Sequence, residues 1–208
     1  IDGICDISIN MEKFKIIDET FQKLPSQVHL DLSGNYNIHE KTGNGLGSLK
    51  IDHLLSDSED NIYLLAEEFF ITYSNYGTYY EQKTENYNDI VIIKFNSNRE
   101  IEWGRSIYKK DYNPSYNVFL KNDDLHLILN SGKNLEKLDD GRLETSKDLF
   151  ETSALYDFMY RSDGEVIINK IQNNQGKTIY LPNYGNYVNG KFIMISDTRK
   201  NRQFMVLE

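Results

Sequence analysis

Cysteine is nearly absent from this chain: Cys5 is the only one among 208 residues, so no intrachain disulfide can form and CxxC redox or zinc chemistry is excluded. Proline occurs only three times. No apolar run approaches the length needed to cross a bilayer, the longest being Ile62 to Ala66. The net charge of −9 repels nucleic-acid phosphates and anionic headgroups, so neither nucleic acid nor membrane insertion is expected. No signal peptide is visible, but the chain opens at Ile1 rather than Met, so a missing leader leaves the compartment open.

What is abundant is aromatic, with fifteen Tyr and ten Phe. Aromatic and β-branched side chains suit half-buried pleated surfaces. They also recur in a pattern. Asp60-Asn-Ile-Tyr-Leu-Leu-Ala66, Asp123-Asp-Leu-His-Leu-Ile-Leu129 and Asn189-Gly-Lys-Phe-Ile-Met-Ile195 each read as a polar turn followed by a strand. Ile62, Leu125 and Phe192 then stand 63 and 67 residues apart, a loosely kept period. A second piece recurs within it: Asp89–Asn96 turning through Ser97-Asn98-Arg99 into Glu100–Ile107, and Ala154–Arg161 turning through Ser162-Asp163-Gly164 into Glu165–Ile171. Asp-Gly between β-like runs is a strong hairpin signal, since both residues tolerate positive φ.

The expected fold is therefore all-β, a β-propeller-like array of four-stranded antiparallel blades forming one domain over 1–208. Its units run roughly over 1–33 (partial), 48–110, 115–175 and 178–208 (partial). The first full unit has strands Ser48–Ser56, Asn61–Tyr73, Asp89–Asn96 and Glu100–Lys109. The next has Tyr116–Asn122, Leu125–Asn130, Ala154–Arg161 and Glu165–Gln172, and the last has Tyr184–Asn189, Lys191–Asp197 and Arg202–Leu207. Trp103 and Ile168, each three residues after an equivalent Glu, are expected at equivalent sites, partly buried. A meandering sandwich needs no long-period similarity, so the repeat favours the propeller.

The N-terminal stretch is ambiguous. Met11, Phe14, Ile17, Phe21 and Leu24 recur at helical spacing before Pro25, whereas strands Asp6–Asn10, Lys13–Asp18 and Gln22–Leu32 keep the repeat consistent. The β reading is adopted. Closure then has two solutions: a four-bladed ring whose terminal strands share a sheet, or a fragment of a larger propeller. The fragment is favoured, and it would self-associate through open sheet edges.

Asp60-Asn-Ile-Tyr-Leu64 and Asp89–Asn96 followed by Glu100-Ile-Glu-Trp103 resemble bacterial β-propeller repeats of large secreted or surface proteins whose role is itself uncharacterised. About three quarters of the chain carries the resemblance, which implies architecture and a secreted, periplasmic or cell-surface setting, and no catalytic residue.

Candidate chemistry is sparse. Gly43-Asn-Gly45-Leu-Gly47 precedes a strand rather than a helix, which makes it a turn and not a phosphate cradle. Asp57-Ser-Glu-Asp60 and Asp139-Asp140-Gly141 lack EF-hand order. His29, His39, His53 and His126 have no metal-ligand spacing, and there is no Gly-x-Ser-x-Gly elbow. No cofactor, metal site or catalytic residue is therefore assigned. Tyr73, Tyr76, Tyr79, Tyr80 and Tyr87, in the loop between the second and third strands of the first full unit, are the candidate ligand-binding residues, since loop tyrosines offer stiff contact area with a polar tip. The expected role is a binding or scaffolding module recognising a glycan or protein. The alternatives are a hydrolase or lyase at a central channel mouth, and a purely structural repeat.

Overall fold

The computed structural model describes residues 3–33, 48–75, 81–109, 116–132, 135–137, 143–145, 153–198 and 201–208. Among the described residues the chain is all-β apart from one short helix. A hairpin of β1 (Gly3–Asn10) and β2 (Lys15–Lys23) leads into α1 (Ser26–Ser33). A first sheet holds β3 (Leu49–Ser56), β4 (Ile62–Asn75), β5 (Glu81–Phe95) and β6 (Ile101–Lys109) as an antiparallel meander. A second holds β7 (Tyr116–Lys121), β8 (Asp124–Gly132), β11 (Ser153–Tyr160) and β12 (Val166–Asn173). Between β8 and β11, the short strands β9 (Glu136–Lys137) and β10 (Leu143–Thr145) join the outer edge of the first sheet, β10 lying parallel to β6. A third sheet has β13 (Tyr180–Val188), β14 (Lys191–Ser196) and β15 (Phe204–Leu207).

Strand alternation gives each sheet a leading face towards the next sheet and a trailing face towards the previous element. The largest core lies between the first two sheets. Tyr63, Leu65, Ile90, Ile92 and Ile107 lead from the first and meet Val118, Leu125, Leu127, Tyr156 and Phe158 trailing from the second. The next core sets Phe119, Ile128 and Leu155 against Phe192 and Met194 of the third sheet. Ile62, Leu125 and Phe192 all lie on trailing faces, each packed into the core behind its own sheet. Behind the first sheet, Leu24 and Val28 of the α1 region cover Val91, Ile93 and Phe95. That cover depends on Gly104, where a Cβ would stand 2.6 Å from Val28 Cγ2 and 2.9 Å from Ile93 Cδ1.

Turn chemistry sets the registers. Asn122-Asp123 and Asn189-Gly190 are two-residue turns with positive φ throughout, the hairpin geometry whose twist matches the strands. The turns at Asn96–Glu100 and Arg161–Glu165 share one design: the first residue's carbonyl accepts the fourth residue's N–H, and its own N–H donates to the fifth residue's carbonyl. In the three-residue loop Ser162–Gly164 only Gly164 has positive φ, while Asp163 does not use the freedom that its type allows.

Three expectations are corrected. Residues 26–33 form α1 and not the end of a strand, because Val28 docks on Gly104 while Asp31 accepts from Arg105 Nε at 2.8 Å and Ser106 N at 2.9 Å. Ahead of it the β reading holds for β1, but β2 runs unbroken through the turn expected between Asp18 and Gln22. Trp103 and Ile168 are both half-buried but occupy opposite faces, Trp103 leading from the first sheet and Ile168 trailing from the second. The cause is a bulge: Phe95 pairs with Ile101 but Lys94 with Trp103, leaving Glu102 as an extra residue, whereas Tyr160 and Met159 pair with Val166 and Ile167 without a break. Of the two closure solutions, the shared terminal sheet is not seen: β1–β2 and β13–β15 form separate sheets, and no closed ring is formed among the described residues.

Candidate functional site

The stretch expected to be a loop from Tyr73 to Tyr87 is largely strand. β4 and β5 run on to Asn75 and Glu81, well past the residues where β3 and β6 pair with them. Beyond Glu68 the hairpin is a two-stranded arm. On β4 the residues Tyr63, Leu65, Glu67, Phe69, Ile71 and Tyr73 succeed one another on a single face, the face that leads into the core. On β5, Asn88 and Asp89 stand against Glu68 alone. This bulge brings Tyr87, Glu85 and Lys83 opposite Phe69, Ile71 and Tyr73.

The base of the arm is fixed. Phe69 and Tyr87 pack with ring centroids 5.1 Å apart, and Lys50 Nζ lies 5.7 Å from the centroid of Tyr87. Tyr87 donates its hydroxyl to Glu85 at 3.4 Å, and Lys83 donates to the same carboxylate at 2.8 Å. That bond holds the Glu85 carboxyl below its usual range and raises the Lys83 ammonium. On the opposite face the buried Asn86 amide donates to Phe70 O, Thr72 Oγ1 and Thr84 O, which ties the two strands together. Tyr73 at the far end is 62% exposed, and Ile71 beside it is also open. Of the five candidate tyrosines, Tyr73 and Tyr87 share this face; Tyr76, Tyr79 and Tyr80 lie outside the described residues.

Where the arm leaves the sheet, two charged groups are buried that the sequence reading passed over. Lys109 donates to Glu67, with side-chain exposures of 4% and 0%. Beside them Tyr116 donates to Asp52 at 3.1 Å, and burial with these two acidic neighbours pushes the Tyr116 hydroxyl far up. The signal was present in the alternation, because Glu67 continues the Tyr63–Leu65 series and Lys109 follows Ile107 on one face. Such a pair holds strands in register and presents no open chemistry.

His53 and His126 are spoken for by packing. His53 meets Tyr116 edge to face at 5.4 Å, and desolvation lowers its pKa. His126 Nδ1 faces the Asp157 carboxylate at 2.9 Å while its ring stacks on Phe119, which stacks in turn on Tyr187 and Phe192. A carboxylate-oriented imidazole is half of a general base, but this ring is one layer of an inter-sheet stack. The carboxylate of Asp57 accepts from Glu59 N, Asn61 N and the Asn61 amide, and that of Asp123 accepts from Ser58 N and Oγ. Asp57 thus spends its oxygens on its own turn, and Asp123 spends its own on joining its turn to that of Ser58. Among the described residues no group of three or more His, Cys, Asp or Glu could hold a metal ion, and no helix is long and apolar enough to cross a membrane. Residues 34–47, with His39 and the Gly43–Gly47 loop, and Asp139-Asp140-Gly141 lie outside the described residues.

No family model, curated protein or solved structure matches the chain.

Proposed function

We propose that this chain is a binding module built from propeller-like blades, and that the β4–β5 arm is its recognition element. The blade reading is supported by three successive sheets with the same strand meander and by the trailing positions of Ile62, Leu125 and Phe192. One observation carries the functional reading: the face of β4 that supplies the core continues past the sheet and presents Ile71 and Tyr73 to solvent. A rigid stem with exposed aromatic and aliphatic tips is how interfaces anchor a partner. The mixture of Ile71, Tyr73 and the Lys83–Glu85 ion pair suits a protein partner, which offers both apolar and charged contacts, better than a glycan, which rewards bare ring faces.

The test is paired. Tyr73→Ala and Ile71→Ser should lower binding to a partner enriched by the unaltered chain at least tenfold, with the melting temperature unchanged. A glycan array probed in parallel separates the two ligand classes. A fall in melting temperature with no change in binding would make the arm a structural element and defeat the reading.

A further inference from the structure

The β4–β5 arm has two edges, and only one is guarded. Past the sheet β4 and β5 pair with each other alone, since the pairing of β3 stops at Leu49 opposite Glu68 and that of β6 at Ile107 opposite Ile90. The β5 edge carries Lys83 and Glu85, both half-exposed, and the bulge at Asn88 and Asp89. Charges, lysine above all, and bulges are what keep a sheet edge from pairing with another chain. The β4 edge has neither: Phe69-Phe-Ile-Thr-Tyr73 contains no charge, proline or glycine. Phe69 N–H donates to Ser48 O on the β3 side at 2.8 Å, so alternation turns the N–H and C=O groups of Ile71 and Tyr73 the same way, away from β5. Among the described residues no strand takes them up. Side chains beside this edge are exposed and apolar on both faces, Ile71 and Tyr73 on one and Phe70 on the other. Along β6, by contrast, Gln22 accepts from Ile101 N, Asp31 accepts from Ser106 N, and β10 pairs with Tyr108 and Lys109.

We infer that the β4 edge of the arm, from Phe69 to Tyr73, binds its protein partner by strand addition, an extended segment of the partner lying in the lane that β3 leaves at Leu49. Strand addition here rests on the arm being the recognition element and specifies how it recognises. What matches the edge is the peptide backbone itself. Only an extended polypeptide repeats N–H and C=O groups at the spacing that Ile71 and Tyr73 present. The backbone ladder supplies affinity and alternate side chains supply selectivity. The segment that fits is uncharged, with apolar side chains at every second position to lie beside Ile71 and Tyr73. The ribbon has no need to rearrange, because the Asn86 amide already fastens β5 to Phe70 O and Thr72 Oγ1 on β4. The chain uses the same device on itself, where β10 extends the first sheet beyond β6.

The test offers the immobilised 208-residue chain a displayed library of short random peptides, and the enriched peptides are synthesised. Methylating every second backbone nitrogen of such a peptide destroys its pairing edge in one phase and spares it in the other. One phase should lose affinity at least tenfold, and the other should bind as before. Amide hydrogen exchange read by NMR should find Ile71 and Tyr73 exchanging freely in the chain alone and slowed at least tenfold with peptide. Phe70 and Thr72, whose N–H groups face β5, should be slow throughout. Ile71→Pro removes one outward N–H and should abolish binding while Thr72 stays slow; Ile71→Val should bind as the unaltered chain does. Peptides that bind with either phase methylated, yet are lost with Tyr73→Ala, would keep the arm as the recognition element and refute strand addition. Failure to enrich any peptide, or Ile71 and Tyr73 amides already slow in the free monomer, would refute it as well. Protection of those amides that grows with protein concentration alone would make a second copy the occupant and overturn the inference. Peptides indifferent to both Tyr73→Ala and Ile71→Pro bind elsewhere, which would defeat the recognition reading together with its mode.

Discussion

Removing one member of the Glu67–Lys109 pair should be the most damaging single change of charge in this protein. Both side chains are essentially dry, at 0% and 4% exposure, and they sit on the leading face of the first sheet at the edge of its largest core. Lys109→Met leaves a carboxylate in a site closed to solvent, and Glu67→Leu leaves an ammonium there. Breaking a buried pair in this way costs about 3–5 kcal/mol, because the surviving charge has lost its counterion but not its desolvation. For a chain of this size each kcal/mol is worth about 2–4 °C, so either single variant should melt about 6–20 °C below the unaltered protein. The double variant Glu67→Leu/Lys109→Met removes both charges, and a buried pair replaced by apolar groups of similar volume is often neutral. It should return to within about 1 kcal/mol, giving a coupling energy of several kcal/mol in a double-mutant cycle read by urea denaturation. Single losses below about 1 kcal/mol, or a double variant as unstable as the singles, would show that the site is wet or that packing alone sets its stability.

Two further outcomes follow from the packing. Gly104→Ala should cost about 1–3 kcal/mol, because the added Cβ would collide with Val28 Cγ2 and Ile93 Cδ1, both buried in one packed core with little room to give; a midpoint unchanged in urea would mean that α1 is not seated on β6. Desolvation holds His53 below its ordinary 6.5, against the opposing pull of Asp52, so the folded state keeps it neutral where the unfolded chain would protonate it. The stability it contributes is complete above about pH 7 and is lost as pH falls from about 6.5 through the lowered folded value. His53→Phe, which preserves the edge contact with Tyr116, should flatten the fall in melting temperature between pH 7 and 5; an unchanged slope would remove His53 from the account.

The strands were legible in the sequence because their alternation and their turns agree. Asn189-Gly190, and the Asp57, Asn96 and Asp163 side chains that accept backbone N–H groups two residues on, announce hairpins through local chemistry, which needs no tertiary context. What escaped notice depends on contacts distant in sequence. Val28, Leu30 and Leu32 alternate as a strand would, yet the segment coils because Val28 and Asp31, one turn apart, both have partners on β6. The Trp103–Ile168 pairing failed over a single bulged residue, and a bulge inverts every side chain after it while leaving the hydrophobic pattern intact. Tyr73 and Tyr87 stand out in the sequence only as aromatic residues of an expected loop. That they share a face follows from the two-against-one count at Glu68, which sequence cannot display.

One strand links stability to the proposed recognition surface. Along its leading face β4 carries Tyr63 and Leu65 in the core, then Glu67, then Phe69, Ile71 and Tyr73. All but Glu67 are apolar or aromatic, so solvent exposure along the face is decided by where the second sheet stops covering it. The Glu67–Lys109 pair stands at that boundary. It ties β4 to β6 across β5 where the meander narrows to two strands, and an isolated two-stranded ribbon is marginally stable in water. The arm therefore takes its rigidity from both ends of its root: the ion pair beneath it, and the Phe69–Tyr87–Lys50 cluster and Asn86 amide just above. An aromatic tip on a floppy hairpin would lose its contact energy to ordering on binding, whereas one anchored in this way presents Tyr73 already placed.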